Sequence, residues 1–149
     1  MPSSSIKKKI YCSKKNLINM VLDIEKYPEF VPWCLGSKIY EKKDKGDTVE
    51  IIADLTIGKS FFRETYRSFV IYNKLTDTIY VTNMEGPLKH LENKWFFKEL
   101  GNSSEIEFQI DFELKNKILN LLMNKSFDLG LIKIAEAFQK RANDLFKKI

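Results

Sequence analysis

Apolar positions repeat with two different periods along this chain, and the periods separate predicted strands from predicted helices. From Leu35 to about residue 114 the period is two, and its clearest example is the apolar set Ile106, Phe108, Ile110, Phe112 and Leu114. A period of two is typical of antiparallel strands with one covered face and one wet face. Turn residues such as Gly101-Asn102-Ser103 separate the segments. We therefore predict about six strands in this region.

The two ends of the chain follow other patterns. Ser5–Cys12 is typical of a first strand, and Ser13 is a suitable N-cap for a short helix over Lys14–Ile24. Asn116–Ile149 is predicted to be helical, with a regular apolar stripe formed by Leu131, Ile134, Ala135, Phe138, Ala142, Leu145 and Ile149. Gly130 lies within this helix and costs about 1 kcal/mol relative to alanine. We expect it to mark a bend or a close approach to the sheet.

The segment Tyr27–Cys34 reads Tyr-Pro-Glu-Phe-Val-Pro-Trp-Cys and is the most distinctive in the chain. Its two prolines interrupt any continuous helix and favour extended geometry at Tyr27 and Val31. Phe30 and Trp33 make it too apolar for an ordinary solvated loop, so the segment must cover something. Two interpretations remain open: a loop that plugs one end of the core, or a lid over an apolar cavity.

The widths of the predicted elements do not match. A helix is about 10 Å wide, whereas six or seven strands spaced by about 4.8 Å span nearly three times that width. One long helix therefore cannot fill the concave face of the sheet. Either large side chains fill the rest, or an apolar cavity remains.

Composition is typical of one globular domain over residues 1–149, with 44% apolar and 30% charged residues. The N-terminal residues lack the apolar core of a signal peptide, and we expect a cytoplasmic bacterial protein. The net charge is +5, but only Arg63, Arg67 and Arg141 are arginines. Because specific base and phosphate recognition depends on arginine, we expect no DNA partner. Non-specific attraction to RNA or to an anionic membrane surface stays open.

The residues that usually carry chemistry are scarce. His90 is the single histidine, which argues against most zinc sites and against catalytic pairs that depend on imidazole. It falls on the wet face or at a strand start, where a surface role is expected. Cys12 and Cys34 are expected to be free thiols. We predict no metal, no required cofactor and no enzymatic activity.

Three segments carry a resemblance to a known family. They are Tyr27–Cys34, the stretch from Gly86 to Phe97, and the end of the long helix at Ala137–Ala142. With the order of elements, they make the chain similar to the START-like (helix-grip) superfamily, in its branch of coenzyme Q-binding proteins and ribosome-association toxins, often labelled polyketide cyclase/dehydrase. The resemblance implies an α+β fold, in which a curved antiparallel sheet of about seven strands wraps around a long C-terminal helix. One or two short helices are expected after the first strand.

The resemblance also implies a pocket for a lipophilic ligand between sheet and helix. Ubiquinone or a polyprenylated quinone precursor is the implied ligand. The mouth would be formed by Phe30, Val31 and Trp33. The sheet side would be lined by Phe62, Tyr66, Val70, Trp95, Phe97, Phe108, Ile110 and Phe112, and the helix side by Leu131, Ile134 and Phe138.

Polar residues on the covered face need hydrogen-bond partners, because burial without one costs roughly 1 to 3 kcal/mol. Glu64, Ser68 and Asn93 fall on that face by the alternation of the strands. Glu64 and Asn93 are included in the predicted ligand site. These three residues either bind a quinone carbonyl or a water, or they pair with one another or with Arg141, or they lie near an open edge of the sheet.

Three functions compete. The first is a non-enzymatic quinone-binding protein that supports respiration, with possible peripheral contact to the inner membrane. The second is a ribosome-binding protein that blocks association of the subunits, with the large subunit as its partner. The third, an enzyme acting on a polycyclic substrate, is the weakest, because no nucleophile–base pair, acidic dyad or cofactor motif is present. We favour quinone binding.

Overall fold

The computed structural model describes residues 3–59, 62–85, 88–118, 120–121 and 127–146. A strand β1 (Ser3–Ile10) is followed by a helix α1 (Lys14–Leu22) and a 3-10 helix (Ile24–Glu29). The next strands are β2 (Cys34–Asp44), β3 (Thr48–Lys59), β4 (Phe62–Asn73), β5 (Thr78–Glu85), β6 (Leu88–Glu99) and β7 (Ser104–Leu114), and the C-terminal helix α2 is Phe127–Leu145.

The strands form one antiparallel seven-stranded sheet in the order β1-β7-β6-β5-β4-β3-β2. Neighbours along the chain pair through hairpins, whereas β1 pairs with β7 at the far end of the sequence, with Ile6 opposite Phe108. The sheet curves around α2. The predicted helix-grip fold is therefore confirmed.

The main core lies between the concave face of the sheet and α2. Leu131, Phe138 and Ala142 on α2 are buried, and so are Ile51 and Trp95 on the sheet. These are the inward positions that the two periods predicted. Leu145, which we placed on the buried stripe, is exposed instead, because α2 ends there; Ile149 lies outside the described residues.

The helix predicted over Asn116–Ile149 is described only in part. Residues 117–118 and 120–121 are helical, but the described part of α2 begins at Phe127. The first strand ends at Ile10 rather than Cys12, since a tight turn joins the Cys12 N–H to the Ile10 carbonyl at 3.0 Å.

The helix after β1 begins as predicted. The Ser13 side chain accepts a hydrogen bond from the Asn16 N–H at 3.1 Å and caps α1. The helix ends at Leu22, however, and a 3-10 helix that includes Tyr27 and Pro28 follows. The prediction of extended geometry at Tyr27 is therefore wrong, because a single tight turn tolerates a proline that would interrupt a longer helix.

Within the described part of the chain, no helix is long and apolar enough to cross a bilayer. Cys12 and Cys34 are both buried free thiols, as the sequence predicted. His90 is half-buried, and its Nε2 lies 3.8 Å from Asp111 Oδ2.

Candidate functional site

A cavity of about 490 Å³ lies between the concave face of the sheet and α2. Its walls come from the inward faces of β3 to β7, from one side of α2, from the end of α1 and from the segment before β2. The volume is within the usual range for small-molecule sites. The expected mismatch between one helix and a wide sheet therefore leaves a real space.

Most of the predicted site residues meet in this cavity. Its lining includes Val31, Trp33, Tyr66, Val70, Asn93, Trp95, Phe108, Ile110, Phe112, Leu131, Ile134 and Phe138. They come together because inward positions on adjacent strands are direct neighbours, as Trp95 is with Phe108 across β6 and β7.

Three predicted residues are placed differently, and a fourth is not described. The Phe62 side chain lies outside the described residues. Phe30 does not line the cavity, since its ring packs edge-on against Phe138 at 5.1 Å. Phe97 stacks on the far side of Trp95 at 6.5 Å and belongs to the core. Glu64 is half-buried opposite Ile57, outside the lining.

The lining also contains residues that the prediction omitted. Strand alternation places Leu55, Ile57, Ile79 and Val81 on the covered face, so the pattern alone was sufficient to find them. Lining residues from segments without a regular apolar period, such as Tyr27 and Pro32, could not be predicted from the pattern. The omitted lining residues are Val21, Ile24, Tyr27, Pro32, Cys34, Leu55, Ile57, Gly58, Ser68, Ile79, Val81, Leu88, Leu91 and Gly130.

The segment Tyr27–Cys34 packs against the core and also lines the cavity, and its role as a lid stays a prediction. Its first half is a plug: Tyr27 packs edge-on against Phe30 at 5.9 Å and against Phe138 at 5.7 Å. Its second half, with Val31 and Trp33, forms part of the cavity wall. The Arg141 guanidinium lies 5.0 Å from the centre of the Phe30 ring and binds Glu29 at 3.0 Å, which ties α2 to the plug.

Trp33 has an uncommon backbone conformation for a bulky residue, with φ of 64°. Its carbonyl accepts a hydrogen bond from the Gly58 N–H at 2.9 Å, which anchors the loop to β3. Its ring lies beside Gly130 on α2. The close approach predicted for Gly130 is therefore to this loop.

Few polar groups face the cavity. The Asn93 amide accepts from Trp95 Nε1 at 2.7 Å and donates to the Gln109 carbonyl at 2.9 Å. The Ser68 hydroxyl donates to the Ala53 carbonyl over a long 3.4 Å. Pairing with Arg141 was one of the options for these residues, but the Arg141 guanidinium binds Glu29.

The titratable groups of the lining are held in their neutral forms. Burial raises the pKa of Tyr27 and of Tyr66 well above the usual range, because it disfavours the phenolate. Burial likewise raises the pKa of the Cys34 thiol. Among the described lining residues none is acidic, basic or histidine. The site therefore favours uncharged, apolar molecules.

Comparison with known proteins identifies the family. A family model described as polyketide cyclase/dehydrase and lipid transport matches residues 17–139. The ribosome association toxin RatA of Rickettsia prowazekii is 34% identical over 137 residues, which cover 89% of this chain and 90% of the relative. The chain belongs to the polyketide cyclase/dehydrase and lipid transport family.

Other members of the family carry different names. The mitochondrial coenzyme Q-binding protein COQ10 of Dictyostelium discoideum is 29% identical over 133 residues, which cover 86% of this chain and 62% of the relative. Among solved structures, a START superfamily protein from Mycobacterium smegmatis superposes with a TM-score of 0.80 at 20% identity. It covers 96% of this chain and 98% of its own. This likeness shows the shared fold.

In this polyketide cyclase/dehydrase family member, the described residues contain no cluster of three or more His, Cys, Asp or Glu side chains placed to hold a metal ion. The matched range of residues 17–139 contains all of the described cavity lining. The family relationship and the cavity therefore refer to the same part of the chain.

Proposed function

We propose that this protein binds a lipophilic small molecule in the cavity between sheet and α2, without catalysing a reaction on it. The observation that carries the proposal is the cavity itself, about 490 Å³ in volume and lined chiefly by aliphatic and aromatic side chains. An empty apolar space of this size forfeits packing contacts that a fitting ligand restores.

Ubiquinone or a polyprenylated quinone precursor is the ligand we propose, in support of respiratory electron transport. The similarity to a relative named coenzyme Q-binding protein supports this choice. A quinone ring is flat, apolar and uncharged, and the aromatic wall formed by Trp95 and Phe108, with ring centres 4.4 Å apart, suits such a ring. Binding would require no further cofactor.

The chemistry of the lining supports a binding role over an enzymatic one. General acid–base catalysis needs a group that exchanges a proton near neutral pH. The phenols and the thiol of the described lining have raised pKa values and stay protonated there. Peripheral contact with a membrane, from which the ligand would be taken, is part of the proposal.

The test is whether the protein retains a lipid. Protein purified from a quinone-producing host is analysed by native mass spectrometry, and its hexane extract is examined for quinone absorbance. Val81→Trp should abolish retention by filling the cavity. The matched control is Thr82→Trp, on the other face of β5, which should retain the lipid. Bare wild-type protein, or equal retention by both variants, would contradict the proposal.

Association with the ribosome is a second candidate. The similarity to RatA supports it, since the match covers nine tenths of both chains and the relative is named for ribosome association. The net charge of +5 is compatible with an RNA surface. Co-sedimentation with isolated large subunits at increasing salt tests it: salt-resistant binding by protein that carries no lipid would favour this candidate over quinone binding.

A further inference from the structure

Three polar residues of the cavity wall lie on the inner face of the sheet. Tyr66 and Ser68 are consecutive inward residues of β4, and Asn93 is an inward residue of β6. All three are uncharged. Apart from Gly58 and the Cys34 thiol, which is bound to the Gly36 carbonyl, the rest of the described sheet wall is aliphatic or aromatic, so these groups decide which polar features a ligand may present.

Most hydrogen-bonding groups in this wall already have a protein partner. Ser68 donates to the Ala53 carbonyl, and the Asn93 amide is bound to Trp95 and to the Gln109 carbonyl. Tyr27, the other tyrosine of the lining, donates its hydroxyl to the Val21 carbonyl. These bonds satisfy the groups without any ligand.

Tyr66 differs from Tyr27 in this respect. Its hydroxyl has no hydrogen-bond partner among the described residues, although its side chain is enclosed between the cavity and the apolar cluster of Leu88, Leu91, Phe112 and Leu114. Burial is the main cause of its raised pKa, followed by the nearby Cys34 thiol. The phenol therefore keeps its proton and stays a donor at physiological pH.

Tyr66 is partly buried and lines the cavity, so its hydroxyl, unpaired among the described residues, can donate to a ligand oxygen there, and apolar surroundings make such a bond stronger than it is in water. We infer that Tyr66 is the polar anchor of the cavity, and that the ligand is an uncharged molecule with a carbonyl oxygen placed to accept from its hydroxyl. This inference rests on the proposed function and adds the specificity-determining residue.

The same wall disfavours anionic lipids. No lysine or arginine is among the described lining residues, so a carboxylate or phosphate would enter without a counter-charge. Transferring an unpaired anion from water into such a site is far costlier than transferring a ketone or quinone. Fatty acids and phospholipid headgroups should therefore be rejected from the interior.

The experiment measures the affinity of the full chain for three probes by titration calorimetry. Ubiquinone-1 presents carbonyl oxygens on a fully substituted ring, an alkylbenzene with an equal number of heavy atoms presents none, and decanoate carries a charge. For the wild type we expect ubiquinone-1 to bind most tightly and decanoate least.

Tyr66→Phe should weaken ubiquinone-1 binding about tenfold, in line with one lost hydrogen bond in an apolar site, and should leave alkylbenzene binding within about twofold. Tyr27→Phe removes a phenol from the same cavity and should preserve the ratio of the two affinities. Melting temperatures of both variants report whether the fold is intact.

The outcomes are distinguishable. If neither ubiquinone-1 nor the alkylbenzene binds the wild type, the proposed function fails and the anchor fails with it. If both bind but Tyr66→Phe weakens them equally or not at all, only the anchor is wrong. Binding of decanoate as tight as that of ubiquinone-1 would likewise overturn the inference of an uncharged ligand. Should Tyr66→Phe fail to fold, Tyr66→Trp takes its place, because it keeps a donor but shifts its position. The ratio of its affinities for ubiquinone-1 and the alkylbenzene must then be smaller than that of the wild type.

Discussion

The Trp33 ring packs against the bare backbone of Gly130: a Cβ built on Gly130 would lie 3.5 Å from Trp33 Cζ3. That separation is an ordinary van der Waals contact, so a methyl group fits there, whereas a longer side chain does not. Because Gly130 has no side chain, the Trp33 ring can pack directly on the backbone of α2, where both residues line the cavity.

This contact predicts opposite effects for two substitutions. Gly130→Ala should raise the free energy of unfolding by up to about 1 kcal/mol, because alanine favours the helix and the ring has room for the methyl. Gly130→Leu should displace Trp33 and speed release of the bound lipid. Urea denaturation and lipid release rates measure the two effects. A destabilised Gly130→Ala protein would contradict the contact as described.

Two substitutions separate the effect of the Trp33 ring from the effect of its backbone conformation. Trp33→Ala should speed ligand release with a small loss of stability, since the side chain is only partly buried. Trp33→Gly removes the same ring but suits the positive φ, and should be more stable than Trp33→Ala by up to about 1 kcal/mol. Urea denaturation of both variants tests this. If Trp33→Ala instead unfolds the protein, the residue is a plug and has no part in controlling access.

Alkaline pH should destabilise the protein through its buried phenols. An unfolded tyrosine ionises near its ordinary pKa of 10.0, whereas burial raises the pKa of Tyr27 and Tyr66 in the folded state. Below that pH both states are protonated and the shift has no effect. Above it the unfolded chain loses protons that the folded chain keeps, so the free energy of unfolding falls by about 1.4 kcal/mol per pH unit for each tyrosine.

Tyr66→Phe should therefore reduce this alkaline slope by about 1.4 kcal/mol per pH unit, and the double variant with Tyr27→Phe should reduce it further. Urea denaturation at several pH values between about 9 and 12 measures the slope. An unchanged slope in Tyr66→Phe would mean that its hydroxyl reaches water.

The cavity volume sets a limit on how much of a tail is enclosed. At about 490 Å³ the space suits a drug-sized ligand, so only part of a long polyprenyl chain can be inside. Affinity for quinones of increasing tail length should rise by up to about 0.8 kcal/mol per enclosed methylene and then level off. A titration series over tail length locates the plateau, and a continued rise over long tails would contradict a cavity of this size.

The sequence was most informative where one face of an element is covered. Alternation in β7 and helical spacing in α2 predicted which side chains point inward, because burial imposes those periods. The N-cap at Ser13 followed from local chemistry in the same way. The 3-10 helix around Pro28 agrees with the second short helix that the resemblance implied, but the proline pattern favoured an extended chain at Tyr27, and packing of Tyr27 onto Phe138 outweighed that local preference.

For the site, the alternation of the strands predicted which residues face inward. It did not predict which of them line the cavity or which of their polar groups have hydrogen-bond partners. Phe97 and Trp95 have the same parity, yet Trp95 lines the cavity and Phe97 packs into the core beside it. Likewise, the contrast between the hydroxyls of Tyr27 and Tyr66 depends on which carbonyl lies within reach. Such distances come from tertiary packing and leave no trace in composition or spacing.

The pairing of the first strand with the last has a consequence for biosynthesis. Ile10 lies opposite Ser104, so β1 has no partner in the sheet until β7, which ends at Leu114, has left the ribosome. Contacts between such distant residues slow folding, and β1 stays unpaired meanwhile. The unpaired strand β1 carries three consecutive lysines, Lys7, Lys8 and Lys9. Their charge discourages β1 from pairing with other chains before β7 is available.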